Sequence, residues 1–404
     1  MLLCLLAAGF LLLLICAAQT PPQQVRRIDL FTADTAGYEL YRIPGLVVTQ
    51  KGTLLAYAEA RKGGQGDWGS IDIVLRRSVD GGKQWSAQQV IAKVPGQISK
   101  NPAALAQNLA STGAVTYNNP IAITDQKSGT VHFLFCLEYM RAFYTRSDDD
   151  GTTFSEPVEI TSAFNEFRPE YDWKVLATGP GHGIQLSNGR LLVPVWLSLG
   201  TGGHAHRPSV VSTIYSDDGG ASWHRGEIAV PNTEEFINPS ETAAVELADG
   251  RVMLNVRTES KRHRRVIVTS ADGATGWSAP RYQEELVEPI CFGSIAALTP
   301  ASTEKSGRLL FVNPDNLLNG DSEGTPGKGR DRRKLTVQLS ENNGETWSAK
   351  KVIDDGWAGY ADINVGPGNA IYCLYERGGI GDEHFRSTAL TLVHFDLSWI
   401  TQKP

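Results

Sequence analysis

Cysteine is scarce in this 404-residue chain, with five copies, two of them in the apolar run at the N-terminus. The other three, Cys136, Cys291 and Cys373, are an odd number, which excludes a complete set of intrachain disulfides. Cys136 and Cys373 lie in apolar runs and read as small buried hydrophobes. Positive charge is also short: 38 Lys and Arg stand against 44 Asp and Glu, a net charge of −6. With no basic stripe, this argues against nucleic acid as a partner. The one basic run, Lys261, Arg262, His263, Arg264 and Arg265, reads as a solvated hairpin tip between Val256 and Val266. No spacing of His, Cys and Asp suggests a metal site, and His204 and His206, two apart in a Gly-rich loop, read as rim residues. Helical periodicity is missing, and nothing is left over for a lectin module.

Residues 1–18 are nearly all apolar and end in Cys16-Ala-Ala18 before the polar Gln19. That pattern is the hydrophobic region of a signal peptide with small residues at the cut, so a mature chain of residues 19–404 is expected. No Lys or Arg precedes the apolar run, and an uncleaved membrane anchor is the alternative.

What the chain has in abundance is repetition. Ser78-Val-Asp80-Gly-Gly82-Lys-Gln-Trp85 recurs as Ser147 to Phe154, Ser216 to Trp223 and Ser340 to Trp347, with a degraded copy from Ser270 to Trp277. Each copy has the chemistry of a turn: Asp or Asn folds onto nearby N–H groups, and Gly takes a positive φ that a Cβ would resist. A second repeat supplies the count. Gly52, Gly129, Gly189, Gly250, Gly307 and Gly368 each open an apolar strand and follow another apolar run, making six units. The first five continue into a third strand, the octapeptide turn and a short fourth strand. The sixth ends at residues 390–397 without them, so residues 25–31 are expected to complete it. Six such units cannot bury their faces singly and must stack. The expected fold is all-β, a six-bladed β-propeller of four-stranded antiparallel blades forming one domain.

Strand direction then sorts the polar residues. In a four-stranded antiparallel blade, the start of strand one, the end of strand two and the start of strand three share one face of the disc. The octapeptide turns lie on the other. Arg42, Glu241 and Tyr360 fall at starts of strand one, Arg61, Asp67 and Arg257 at or after ends of strand two, and Arg332 leads into strand three. All seven share a face and come from blades one, four, five and six, so they converge only at the central axis. Arginines aimed at one point imply an anionic ligand: a carboxylate, phosphate or sulfate.

The run Tyr41-Arg42-Ile43-Pro44, the stretch Glu59-Ala-Arg61 to Gly66-Asp67-Trp68, the octapeptide boxes, Asn255-Val-Arg257 and Arg332 to Thr336 together resemble the exo-α-sialidases of the bacterial and animal type. The resemblance covers essentially the whole of residues 19–404. It implies that Arg42, Arg257 and Arg332 clamp the carboxylate of a sialic acid, that Asp67 is the general acid and base, that Tyr360 is the nucleophile and that Glu241 is its partner base. Arg61 corresponds to a further substrate-contacting arginine near the sugar hydroxyls. Arg333 adjoins Arg332, and Ala-Asp-Ile follows Tyr360 where a serine commonly follows in the family.

The implied function is retaining hydrolysis of terminal sialic acid from sialylated glycans, by a secreted, periplasmic or cell-surface protein. No cofactor, metal or obligate protein partner is implied. Two alternatives stand beside it: a hydrolase of a related nonulosonic acid or a trans-sialidase, and a propeller that binds acidic sugars without cleaving them. Glu138, Tyr139, Trp173 and Phe292 are candidates for the pocket of the C5 substituent by the same strand-direction rule.

Overall fold

The computed structural model describes residues 25–63, 66–110, 113–298, 307–318, 332–379 and 386–402. The apolar run at residues 1–18 lies outside them. The described residues form six four-stranded antiparallel blades around an axis. The strands nearest the axis are Leu40–Val48, Tyr117–Thr124, Val175–Thr178 with Ile184–Gln185, Thr242–Glu246, Ser294–Ala297 and the C-terminal half of Ala349–Val365. Each packs beside the next, and the last beside the first, so the ring closes. The N-terminal half of Ala349–Val365 is the outer strand of blade five, which joins blades five and six into one continuous sheet.

Both faces of every blade are covered, and the strand sequences show why. In Leu54–Lys62, Leu54, Ala56 and Ala58 pack with Leu374, Leu390 and Leu392 of blade six, while Leu55 and Tyr57 pack with Phe133 and Phe135 of blade two. Alternation here separates two apolar faces instead of one apolar and one wet face. Six hydrophobic clusters result, each centred on a junction between neighbouring blades.

The octapeptide turns fasten those junctions. In the first, Asp80 Oδ1 accepts the Ser78 hydroxyl and the N–H groups of Lys83 and Gln84, each at 2.9 Å. The glycine five residues into the box is left-handed in each intact copy: φ is +80° at Gly82, +75° at Gly151, +89° at Gly220 and +80° at Gly344. It also sits hard against the preceding blade: a Cβ would come within 2.7 Å of Leu55 at Gly151 and 2.4 Å of Tyr144 at Gly220. Only glycine satisfies both demands. Trp223 and Trp347, which close two boxes, are buried.

The outer strand of blade six comes from the other end of the chain. Arg26–Thr32 pairs antiparallel with Ala389–Phe395, as the missing fourth strand requires. Two expectations hold only in part. The inner strand of blade three includes Ile184–Gln185 in the apolar run before Gly189, but it begins earlier, at Val175, and is broken at Gly179-Pro180, where proline has no N–H to give the ladder. The basic run is not wholly a solvated tip. Arg265 is fully buried, bonded to Asn255 at 2.6 Å and ion-paired with Glu288, because it already lies within the strand Arg264–Ser270, both of whose faces are covered, on the same face as the buried Ile267.

Candidate active site

At the axis, on the face opposite the octapeptide turns, lies a cavity of about 230 Å³ whose walls include Arg42, Asp67, Glu241, Arg257, Arg332 and Tyr360. Regular strands would not aim these side chains so tightly. The pairing ladder skips between Arg42 and Gly45 in blade one, between Asn118 and Ile121 in blade two and between Ala358 and Ala361 in blade six. Left-handed non-glycine residues accompany the cavity: Ile43 (φ +57°), Asn119 (+49°), Tyr139 (+49°) and Asn238 (+46°) line it. For β-branched Ile43 such a backbone costs about 1–3 kcal/mol and persists because its surroundings hold it. Bulges of this kind re-aim side chains at a site.

Glu376, fully enclosed, does much of the holding. Its Oε1 accepts from Arg42 Nε and from the Ile43 N–H, both at 3.1 Å, and its Oε2 accepts from Arg42 Nη2 at 3.3 Å and from the Tyr360 N–H at 3.1 Å. Glu59 plays the equivalent part for Arg61, accepting from Nε at 3.2 Å and Nη2 at 2.7 Å, while its other oxygen takes the Asn119 N–H at 3.0 Å. Arg61 in turn sits 3.0 Å from Asp67 Oδ1, and Arg42 Nη1 lies 4.0 Å from the same oxygen. Arg61 is 1% exposed and stands behind Asp67 instead of on the cavity wall.

Tyr360 lies between charges. Its hydroxyl donates to Glu241 at 2.6 and 2.7 Å and accepts from Arg257 at 2.7 Å, and Arg257 and Glu241 are themselves ion-paired. The Arg42 and Arg332 guanidinium carbons sit 5.2 and 5.1 Å from its ring centre. Burial pushes the phenol far above its usual pKa, Glu241 adds to that, and the arginines only partly offset it. The group is therefore a neutral phenol whose proton already points at a carboxylate. Desolvation pushes Asp67 up, but Arg61, His206 and Arg42 outweigh it and hold the carboxyl well below the ordinary range. His206 is itself pushed down to about 4, chiefly by burial. It is uncharged at neutral pH, so the cations that act on Asp67 there are Arg61 and Arg42.

Arg332 and Arg333 separate cleanly. Arg332 is 4% exposed, on the cavity wall, with Nη2 donating to the Ile290 carbonyl at 2.9 Å. Arg333 is exposed and stacks on Trp357 at 3.8 Å. Lys334, left-handed at φ +58°, makes the bulge between them and the strand. Of the four candidates for a C5 pocket, only Tyr139 lines the cavity; Glu138 pairs with Lys100 at 2.8 Å, Trp173 is core, and Phe292 packs behind Tyr360. His204 and His206 both line it, and His206 sits in an aromatic group with Trp68, Tyr139 and Trp196. The strand-direction rule that selects Arg61 and Arg257 also selects Glu376 at the end of strand two in blade six, and Glu259 just past the end of strand two in blade four.

Residues 52–373 match the BNR repeat-like domain. A sialidase of Micromonospora viridifaciens is 28% identical over 397 residues, covering 92% of this chain but 54% of its own, so the chain spans about half of that relative. Sialidase-3 of Rattus norvegicus is 28% identical over 87% of this chain and 91% of its own. The solved Hadza microbial sialidase Hz136 superposes with a TM-score of 0.70 at 25% identity, over 93% of this chain and 69% of that one. By its repeat domain, its blades and these relatives, the chain belongs to the sialidase family of BNR-repeat β-propellers.

Proposed function

We propose that the protein is a retaining exo-α-sialidase that releases terminal sialic acid from sialylated glycans. The observation that carries this reading is the Tyr360 phenol, hydrogen-bonded to both Glu241 oxygens beneath three arginines. A sialic acid bears its carboxylate on the anomeric carbon, so an Asp or Glu nucleophile would approach against like charge, whereas a neutral phenol does not. Sialidases with a tyrosine nucleophile are the known departure from the two-carboxylate scheme of retaining glycosidases.

In this reading Arg42, Arg257 and Arg332 bind the substrate carboxylate and hold its charge as the oxocarbenium-like transition state develops. Glu241 takes the phenol proton while the Tyr360 oxygen bonds to the anomeric carbon and the glycosidic bond breaks. Asp67 gives its proton to the departing oxygen. Water then attacks the anomeric carbon and gives a proton to Asp67, the bond from that carbon to the Tyr360 oxygen breaks, and Glu241 returns its proton to the released phenolate. Arg61 and Arg42 favour the ionised form of Asp67, so it must gain its proton in the complex. An arriving carboxylate offsets Arg42 and displaces water, and both changes raise the Asp67 pKa. Arg61 then orients Asp67 from behind. Delivery outside the cytoplasm by residues 1–18 belongs to the same proposal.

Incubation with a fluorinated sialosyl donor, followed by peptide mapping, tests the reading. A sialosyl label on Tyr360 is expected, with none in Tyr360→Phe. A label on another residue, or none despite turnover of a fluorogenic sialoside, removes Tyr360 from the role.

A further inference from the structure

Tyr360 is not fixed by its strand. Pairing between Ala349–Val365 and Ile371–Arg377 runs from Val365 to Ala361 and resumes at Ala358, which leaves Gly359 and Tyr360 outside the ladder. The Tyr360 N–H goes to the Glu376 side chain instead. The height of the phenol along the axis therefore depends on side-chain anchors on either side of the gap. Glu376 is one. The other lies two residues on, on the same strand face: Asp362, completely buried.

Asp362 ties four blades together beneath the cavity. Its carboxylate accepts the Leu46 N–H of blade one at 2.8 Å, the His182 Nδ1–H of blade three at 2.8 Å and the Ser294 hydroxyl of blade five at 2.7 Å. Ser294 Oγ also accepts the Ile363 N–H at 3.3 Å, which pins the next residue. Gly181, beside His182, is left-handed, and a Cβ there would meet Phe292 at 2.9 Å and Asp362 at 3.0 Å. The Phe292 ring in turn backs Tyr360, with centroids 5.8 Å apart. None of Asp362, His182 and Ser294 lines the catalytic cavity. His182 instead lines a second cavity, about 290 Å³, on the opposite side of this layer, walled by Gln185, Glu246, Ala296 and Asn364. Burying a carboxylate with polar partners is weak grounds for stability by itself, and a specific geometry is what the arrangement secures.

We propose that Asp362 and His182 are positioning residues that set the Tyr360 phenol at its working height beneath the arginines. The kinetic arm of the test rests on Tyr360 as nucleophile; the spectroscopic arm does not. His182→Leu removes the Nδ1–H, whereas His182→Asn puts an N–H near the same place. In the full chain, His182→Leu is expected to lower kcat on a fluorogenic sialoside on the order of 10²-fold, with KM and the affinity for a dehydrated sialic acid analogue changed less than about threefold. His182→Asn should recover most of the loss. If His182→Leu does not fold, Ser294→Ala, which removes one donor of three, carries the same test with a loss of about tenfold in kcat alone. An unchanged kcat in a folded variant, or a change confined to KM, overturns the proposal. With 3-fluorotyrosine incorporated, the ¹⁹F resonance that disappears in Tyr360→Phe should move in His182→Leu or Ser294→Ala and return in His182→Asn. A resonance that stays put overturns the positioning role whether or not the chain cleaves sialosides. A wild type that cleaves none, with the resonance still moving, counts against the sialidase reading alone.

Discussion

At the scale of single residues, the phenol and its two charged partners hold one another within the cavity, while several other working groups are held by residues that do not touch it. Arg42 rests on Glu376, Arg61 on Glu59, and Asp67 on Arg61. The two adjacent arginines of blade five put this to a direct test, because they share chemistry and differ only in direction. Arg332 faces the cavity, while Arg333 lies over Trp357 at the surface. A charge-assisted contact to a substrate carboxylate is worth about 1.5–3 kcal/mol, so Arg332→Ala should lower kcat/KM roughly 10- to 150-fold or more. Arg333→Ala gives up an exposed stacking contact worth about 0.5–1 kcal/mol of stability and should leave kcat/KM near wild type. Steady-state kinetics on the two folded variants decides it. The reverse order would hand the role to Arg333, and two near-normal enzymes would remove the arginine clamp as drawn. Residue identity alone did not separate this pair. The resemblance at Arg332 to Thr336 picked out Arg332, and the structure sets that side chain on the cavity wall; the left-handed Lys334 beside the pair leaves no mark in composition or periodicity.

At the scale of elements, the octapeptide turns are the best-read feature of the chain and carry a pH dependence of their own. Asp149 is pulled down to about 2, chiefly by the Thr153 N–H, and Asp218 to about 2 by the Ser222 hydroxyl and N–H. A carboxyl lowered in the folded state contributes stability that is complete above its unfolded pKa, near 4, and is lost as pH falls through the folded value. Between about pH 4 and pH 2 these turns therefore loosen. The fifth blade shows what an amide does in the same place: Asn342 Oδ1 accepts the Ser340 hydroxyl at 3.0 Å and the Thr346 N–H at 2.9 Å without a titrating group. The double variant Asp149→Asn with Asp218→Asn should stay close to wild type at pH 7 and lose stability less steeply between pH 4 and 2, as measured by urea unfolding across that range. Parallel curves for the two proteins would show that the turn carboxylates do not carry the linkage. Turn chemistry was legible because it is local: eight residues contain both the acceptor and its donors. Bulges were not, because strand-direction counting assumes an unbroken ladder. The counting still found the cavity residues, since they sit at strand ends, where one slipped position changes depth more than face. The basic run of blade four, read from its composition as a solvated tip, is one only at Lys261 and Arg262, because Arg265 already belongs to a strand covered on both faces and pairs with Glu288.

At the scale of the whole molecule, the ring makes every blade depend on two neighbours, and one blade depends on both ends of the chain. Stability in such an array is close to a sum of blade and interface terms, but closure means that no interface can be lost from an end without opening the ring. Arg26–Thr32 is the place to test this. It closes blade six through seven residues, with Asp29 bonded to Thr391 and Arg377, both at 2.6 Å. Leu30 and Phe31 are buried in the cluster between blades six and one. Burying two such side chains contributes about 3–6 kcal/mol, comparable to the net stability of a whole domain. A chain starting at Ala33 would also expose the strand Ala389–Phe395 as a seven-residue edge whose side chains are mostly buried in the intact ring, an invitation to pair with another copy. Calorimetry should show a lower and broader melt for that chain than the single transition expected of the full chain, and light scattering should show association that rises with concentration. The same experiment reads the active face, because Arg42 and Tyr360 lie on the inner strands of blades one and six, on either side of the junction that Leu30 and Phe31 fill. If the ring is held as described, sialoside turnover falls together with the loss of cooperativity. A shortened chain that melts in one step within a few degrees of the full chain would show that the five contiguous blades and the three-stranded remainder are sufficient, and that the N-terminal strand decorates the ring without closing it.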